Sequence, residues 1–164
     1  MTNEEMKILD RVRGSMFGGA IGDALGYTIE HMSEEEIFGI YGKDGITAYQ
    51  LDSKTGKALI SDDTQMSLFT ANGLLICETR ANVQGIGTRP RTDVSFCYRD
   101  WFLTQTHSFD DVQLRRNTKL DGQSWLLDVP ELFSLRSPGT TCMTGLRSHE
   151  ASSSKRPLNN SKAG

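Results

Sequence analysis

Ser61-Asp62-Asp63-Thr64 sets two carboxylates side by side between two hydroxyls. Hard divalent cations such as Mg²⁺ take oxygen ligands of this type and keep several waters. Adjacent carboxylates repel unless a cation or the positive end of a helix dipole stands near. A mostly apolar run, Met66-Ser67-Leu68-Phe69, follows directly and reads as helix. The same four residues are therefore also an ordinary helix cap, worth about 0.5–2 kcal/mol. Spacing alone leaves the cap and the metal site both open. Upstream, "GGAIGDALGYTIE" holds a second acidic pair, Asp23 and Glu30. If a helix continues, the two lie about two turns apart. Gly26-Tyr27 fits a turn equally well. Taken singly, Asp23 reads as a cap or an internal ion pair, and Glu30 as a solvated surface acid.

The elements that carry these residues read as helices. Leu9, Val12, Met16 and Ala20 recur at helical spacing, so a helix is expected from Glu4 to about Gly26. Gly14, Gly18, Gly22 and Gly26 form a slowly drifting stripe on it. Each glycine costs about 0.8–1.0 kcal/mol relative to alanine. Either a backbone or ligand approaches the stripe closely, or the helix packs tightly in a core or breaks near Gly18-Gly19. Ser33 and Glu36 have capping-box spacing for a short helix. "GKDGITAYQLDSKTGKA" reads as loop with a short strand pair. A helix begins at the acidic cluster and carries Phe69, Leu74 and Cys77. A third, capped by Thr92 or Asp93, covers "VSFCYRDWFLTQT". "DDVQLRRNTKLDG" looks exposed, and "SWLLDVPELFSL" is apolar bulk broken by Pro130. Ser137 and Pro138 open a last short helix. The final stretch has one leucine and no aromatic, the composition of a flexible tail.

The 164 residues suffice for one domain with a core. A net charge of −3 makes no electrostatic case for nucleic acid or an anionic membrane. No apolar stretch is long enough to span a bilayer. Cys77, Cys97 and Cys142 are odd in number, far apart, and without metal spacing to His31, His107 or His149. Free thiols in a reducing compartment follow, and with them a cytoplasmic location.

"RGSMFGGAIGDALGYTIE", "SDDTQM", "YRDWFLTQ", "SPGTTCMTGL" and "NNSKAG" stand in this order from Arg13 to Gly164. Together they resemble the ADP-ribosylglycohydrolase family, which includes the ADP-ribosylhydrolases and the dinitrogenase-reductase-activating glycohydrolases. The resemblance implies an all-α helical bundle with a magnesium centre, usually binuclear. It implies hydrolysis of a glycosidic bond at the anomeric carbon of ADP-ribose, with an ADP-ribosylated protein or an ADP-ribose derivative as substrate. Ser61, Asp62 and Asp63 fall on the family's metal ligands, and Glu30 on the acid beside the scissile ribose or a metal-bound water. Asp23 falls on the pocket wall, and Asn160 and Ser161 on substrate contacts. Family members are longer, and a second acidic motif, Asp-x-Asp-Thr, completes their metal site. That motif is absent here. The expectation is thus a truncated family member: a partial helical domain over 1–147, then a polar tail or cut substrate loop over 148–164. Its isolated activity should be low. A non-catalytic relative acting as a binding or structural module is the alternative.

Overall fold

The computed structural model describes residues 1–85, 87–117 and 122–148, and these form two compact units that divide after Thr64. Among the described residues there are six α-helices and three short 3-10 helices, and no β-strand. The expected all-α class holds. Asn160, Ser161 and, except for Ser148, the expected tail over 148–164 lie outside the described residues.

The first unit is built on α1, Asn3–Gly26. Its start is a reciprocal cap. Glu5 N–H donates to the Thr2 hydroxyl at 3.2 Å, and Thr2 N–H donates to the Glu5 carboxylate at 2.7 Å. The helix runs unbroken through Gly18-Gly19. A Cβ placed on Gly14, Gly18, Gly22 or Gly26 would meet nothing within 4 Å, so nothing among the described residues approaches the stripe closely. Ala24 alone is buried along α1, and Phe17 and Ile21 are exposed.

Gly26 keeps helical dihedrals, and a 3-10 turn over Tyr27–Ile29 continues the chain without a reversal. Helix α2, Glu34–Tyr41, starts at the Ser33–Glu36 capping box and stops at Gly42, whose φ of +79° suits glycine. The loop that follows is ordered by Asp52, whose carboxylate accepts the N–H groups of Lys54 and Thr55. The strand pair expected here is a single antiparallel bridge between Leu51 and Ala58. Helix α3, Asp62–Gln84, begins at the acidic cluster, and its first turn closes the first unit.

The second unit starts at Gln65 and holds the rest of α3, then α4 (Pro90–Thr106), α5 (Phe109–Asn117), 3-10 turns at 125–128 and 130–132, and α6 (Thr140–Arg147). Its core joins Phe69 and Ile76 of α3 to Cys97 and Trp101 of α4 and to Leu132. Cys142, Met143 and Leu146 of α6 pack against that cluster. One buried polar residue ties the elements together. The Gln65 side-chain oxygen accepts from the Trp101 indole at 3.1 Å and from Gln105 at 3.0 Å. Its amide nitrogen donates to the Ser134 carbonyl at 3.2 Å.

Three boundaries differ from those expected. Helix α4 begins at Pro90, before Thr92 and Asp93, because a proline at the first helical position loses no hydrogen bond. "DDVQLRRN" is helical. Ser108 caps it by accepting the Asp111 N–H at 3.1 Å, and Val112 is buried. Helix α6 begins at Thr140 with Gly139 as its N-cap, two residues past the Ser137 start expected. Among the described residues no helix is long and apolar enough to cross a membrane.

Candidate active site

The acidic segments meet within the first unit. Helical geometry carried past Gly26 puts Asp23, Tyr27 and Glu30 at i, i+4 and i+7, one face of a nearly continuous helix. The N-terminus of α3 stands opposite. A cavity of about 220 Å³ lies between them, lined by Asp23, Gly26, Tyr27, Glu30, Ser61 and Asp63. Of the residues singled out in the sequence, Asp23, Glu30, Ser61 and Asp63 thus come together. Asp62 is buried but is not part of the lining.

Local hydrogen bonds set the turn. The Ser61 hydroxyl oxygen accepts the Asp63 N–H at 3.1 Å, an N-cap bond. The Ser61 N–H donates to Asp23 Oδ2 at 2.9 Å, and the Thr64 hydroxyl donates to the same oxygen in a short contact. Ser61 thus caps α3, and Asp63 is among the residues that line the cavity. Glu30 stands at the mouth, with 39% of its side chain exposed and the His31 imidazole 3.9 Å away. No Lys or Arg lines the cavity, and its three carboxylates give it a negative potential.

These donors are all hard oxygens, which suits Mg²⁺ in kind. In number they form a partial set: among the described residues, no group of three or more His, Cys, Asp or Glu is disposed to hold a metal ion. No cysteine lines the cavity. Cys77 and Cys97 are buried in the second unit. Burial, reinforced by the Asp100 charge, pushes the Cys97 thiol up to about 11. A larger cavity of 450 Å³ in the second unit is lined by Cys77, Arg80, Arg89 and Asp93. The Arg80–Asp93 ion pair at 2.7 Å occupies much of its charge, and none of the acid-and-hydroxyl set reaches it.

Tyr27 and Thr64 were not singled out as site residues in the sequence. Tyr27 was legible in principle as the residue between Asp23 and Glu30 on one helical face. Thr64 gave no signal beyond its place in the cluster, because its partner lies 41 residues away.

The family model for ADP-ribosylglycohydrolase matches residues 4–164 of the chain. The searches of curated proteins and of solved structures returned no match. A match over nearly every residue, with acids from both N-terminal motifs facing one cavity, leads to one assignment: the chain belongs to the ADP-ribosylglycohydrolase family.

Proposed function

We propose that the chain is a magnesium-dependent hydrolase that removes ADP-ribose from modified proteins by cleaving the glycosidic bond at the ribose anomeric carbon. The observation that carries this reading is the convergence of Glu30, Ser61 and Asp63 on one cavity in a chain of this family. The Ser61 hydroxyl and the Asp63 carboxylate would hold Mg²⁺, with Asp62 assigned as a third ligand by the family resemblance alone. Bound there, the ion would orient the ribose hydroxyls and acidify a water. The Glu30 carboxylate, exposed at the mouth, takes a proton from the attacking water as general base. The negative lining favours positive charge developing at the anomeric carbon in an oxocarbenium-like transition state. The Tyr27 ring forms part of the wall against which the sugar would rest.

The test is release of ADP-ribose from an ADP-ribosylated protein in Mg²⁺ and in EDTA. Turnover should require Mg²⁺, and Glu30→Gln should lower it by roughly 10²–10⁴-fold, the usual contribution of a general base. A Glu30→Gln variant as active as the parent chain contradicts the assignment.

A second reading has an observation of its own. The described residues lack a three-ligand group, which favours a module that binds ADP-ribose without hydrolysing it. Binding with no turnover under any metal condition would select that reading.

A further inference from the structure

Two helices carry a reciprocal capping box whose acid comes from the helix itself, and a third, α5, pairs its capping serine hydroxyl with an acid of its own first turn. Glu5 serves Thr2, Glu36 serves Ser33, and the Asp111 carboxylate accepts the Ser108 hydroxyl at 2.6 Å. Helix α3 departs from this pattern. Its N-cap is Ser61, and the residue three positions on, where the box needs an acid, is Thr64. The missing carboxylate arrives from another helix. Asp23 of α1 accepts both the Ser61 N–H, at 2.9 Å, and the Thr64 hydroxyl on the one oxygen Oδ2.

We propose that Asp23 is a positioning residue: it completes the α3 cap from α1 and so fixes the Ser61–Thr64 turn with the Ser61 hydroxyl and Asp63 facing Glu30. A carboxylate committed to capping cannot also be directed at a cation. With the Ser61 N–H and Thr64 hydroxyl satisfied by Asp23, the Asp63 carboxylate is left to face the cavity. The brace also links the two helices that carry the site, because Glu30 follows Asp23 on one helical run. The oxygen of Asp23, not its charge, performs this role, since both bonds need only an acceptor. An asparagine can present one.

This assignment builds on the magnesium reading, and the experiment separates the two. Asp23→Ala, Asp23→Asn and Thr64→Val are compared by calorimetric titration with Mg²⁺ alone and by amide hydrogen exchange in EDTA. In EDTA, Asp23→Ala should speed exchange at Ser61 and Asp63 by roughly tenfold or more, and Asp23→Asn should restore protection. In Mg²⁺, Asp23→Ala should weaken binding by roughly tenfold, and Asp23→Asn, which keeps the acceptor but removes one charge from the lining, should lose distinctly less. Thr64→Val keeps the carboxylate and removes one bond, so its loss should have the same sign and be smaller. It also serves if Asp23→Ala fails to fold. Unchanged Asp63 protection in Asp23→Ala overturns the brace. An asparagine variant as impaired as the alanine one overturns it too, by showing that the charge acts directly. A parent chain that binds no Mg²⁺ refutes the magnesium reading, and the exchange data then decide the brace without it.

Discussion

Asp100 of α4 is 4% exposed, and its Oδ2 accepts the N–H groups of Gln123 and Ser124 at 2.9 and 2.8 Å. Burial pushes its carboxyl from an ordinary 3.8 up to about 6, against the opposing pull of those two N–H groups and of Arg116. An acid whose folded pKa is raised stabilises the fold fully below its unfolded pKa. That stability is lost as pH rises through the folded pKa. The shift corresponds to about 3 kcal/mol lost between roughly pH 4 and pH 7. Asp100→Asn keeps an acceptor for both N–H groups and removes the ionisation. Its melting temperature relative to the parent chain should therefore rise as pH is raised from 4 to 7. A flat difference across that window would show that Asp100 is not ionising against burial. Neither its burial nor its partners were legible in "YRDWF", because the N–H groups it holds lie 23 and 24 residues on.

At the scale of elements, the glycines separate into two kinds. Four glycines at i+4 spacing on α1 leave close approach, tight packing and a helix break all open in the sequence, yet the helix is unbroken and each glycine is open. The close approach falls instead on Gly73 of α3, where an added Cβ would lie 2.7 Å from Val94 Cα and 2.9 Å from Val94 N of α4. Backbone atoms cannot yield as a flexible side chain can. Gly73→Ala should push α3 and α4 apart and cost about 1–3 kcal/mol. Gly18→Ala should instead raise stability by up to about 1 kcal/mol through helix propensity. Chemical denaturation of the two variants checks both signs. If Gly73→Ala is neutral, the helices are not in backbone contact. A lone glycine in "TANGLLIC" has no periodic neighbours to mark it, so the sequence does not separate it from a tolerated helical glycine. The start of α2 was more legible: the Ser33 cap bonds only to Glu36, three residues on, whereas the cap of α3 also draws on Asp23, 38 residues upstream. The start of α5 was equally local, since Ser108 and Asp111 have the same spacing as Ser33 and Glu36, but its polar surface masked it.

For the molecule as a whole, the ordered motifs carried the family and the all-α class, and the family match over residues 4–164 agrees. What the sequence did not contain was the division after Thr64, because helix α3 runs through that point without a break in pattern. The polar clasp of the second unit was equally hidden. Gln65 is 1% exposed and bonds to residues 36, 40 and 69 positions away. Gln65→Leu should leave the Trp101 indole and the Ser134 carbonyl without their partner. A loss of about 1–3 kcal/mol is expected by thermal or chemical unfolding, and an unchanged midpoint would show the clasp to be incidental. For the candidate site, spacing alone left each acid an ordinary structural role; the family resemblance singled out Asp23, Glu30, Ser61 and Asp63, which line one cavity, and Asp62, which does not. The site's completeness as a metal centre is the point on which the functional account turns. The most direct test is calorimetric titration of ADP-ribose into the chain in Mg²⁺, in EDTA, and with Asp63→Ala in Mg²⁺. The account predicts binding in Mg²⁺ that is lost in EDTA and in the variant. Binding of equal strength under all three conditions, or none under any, would contradict it.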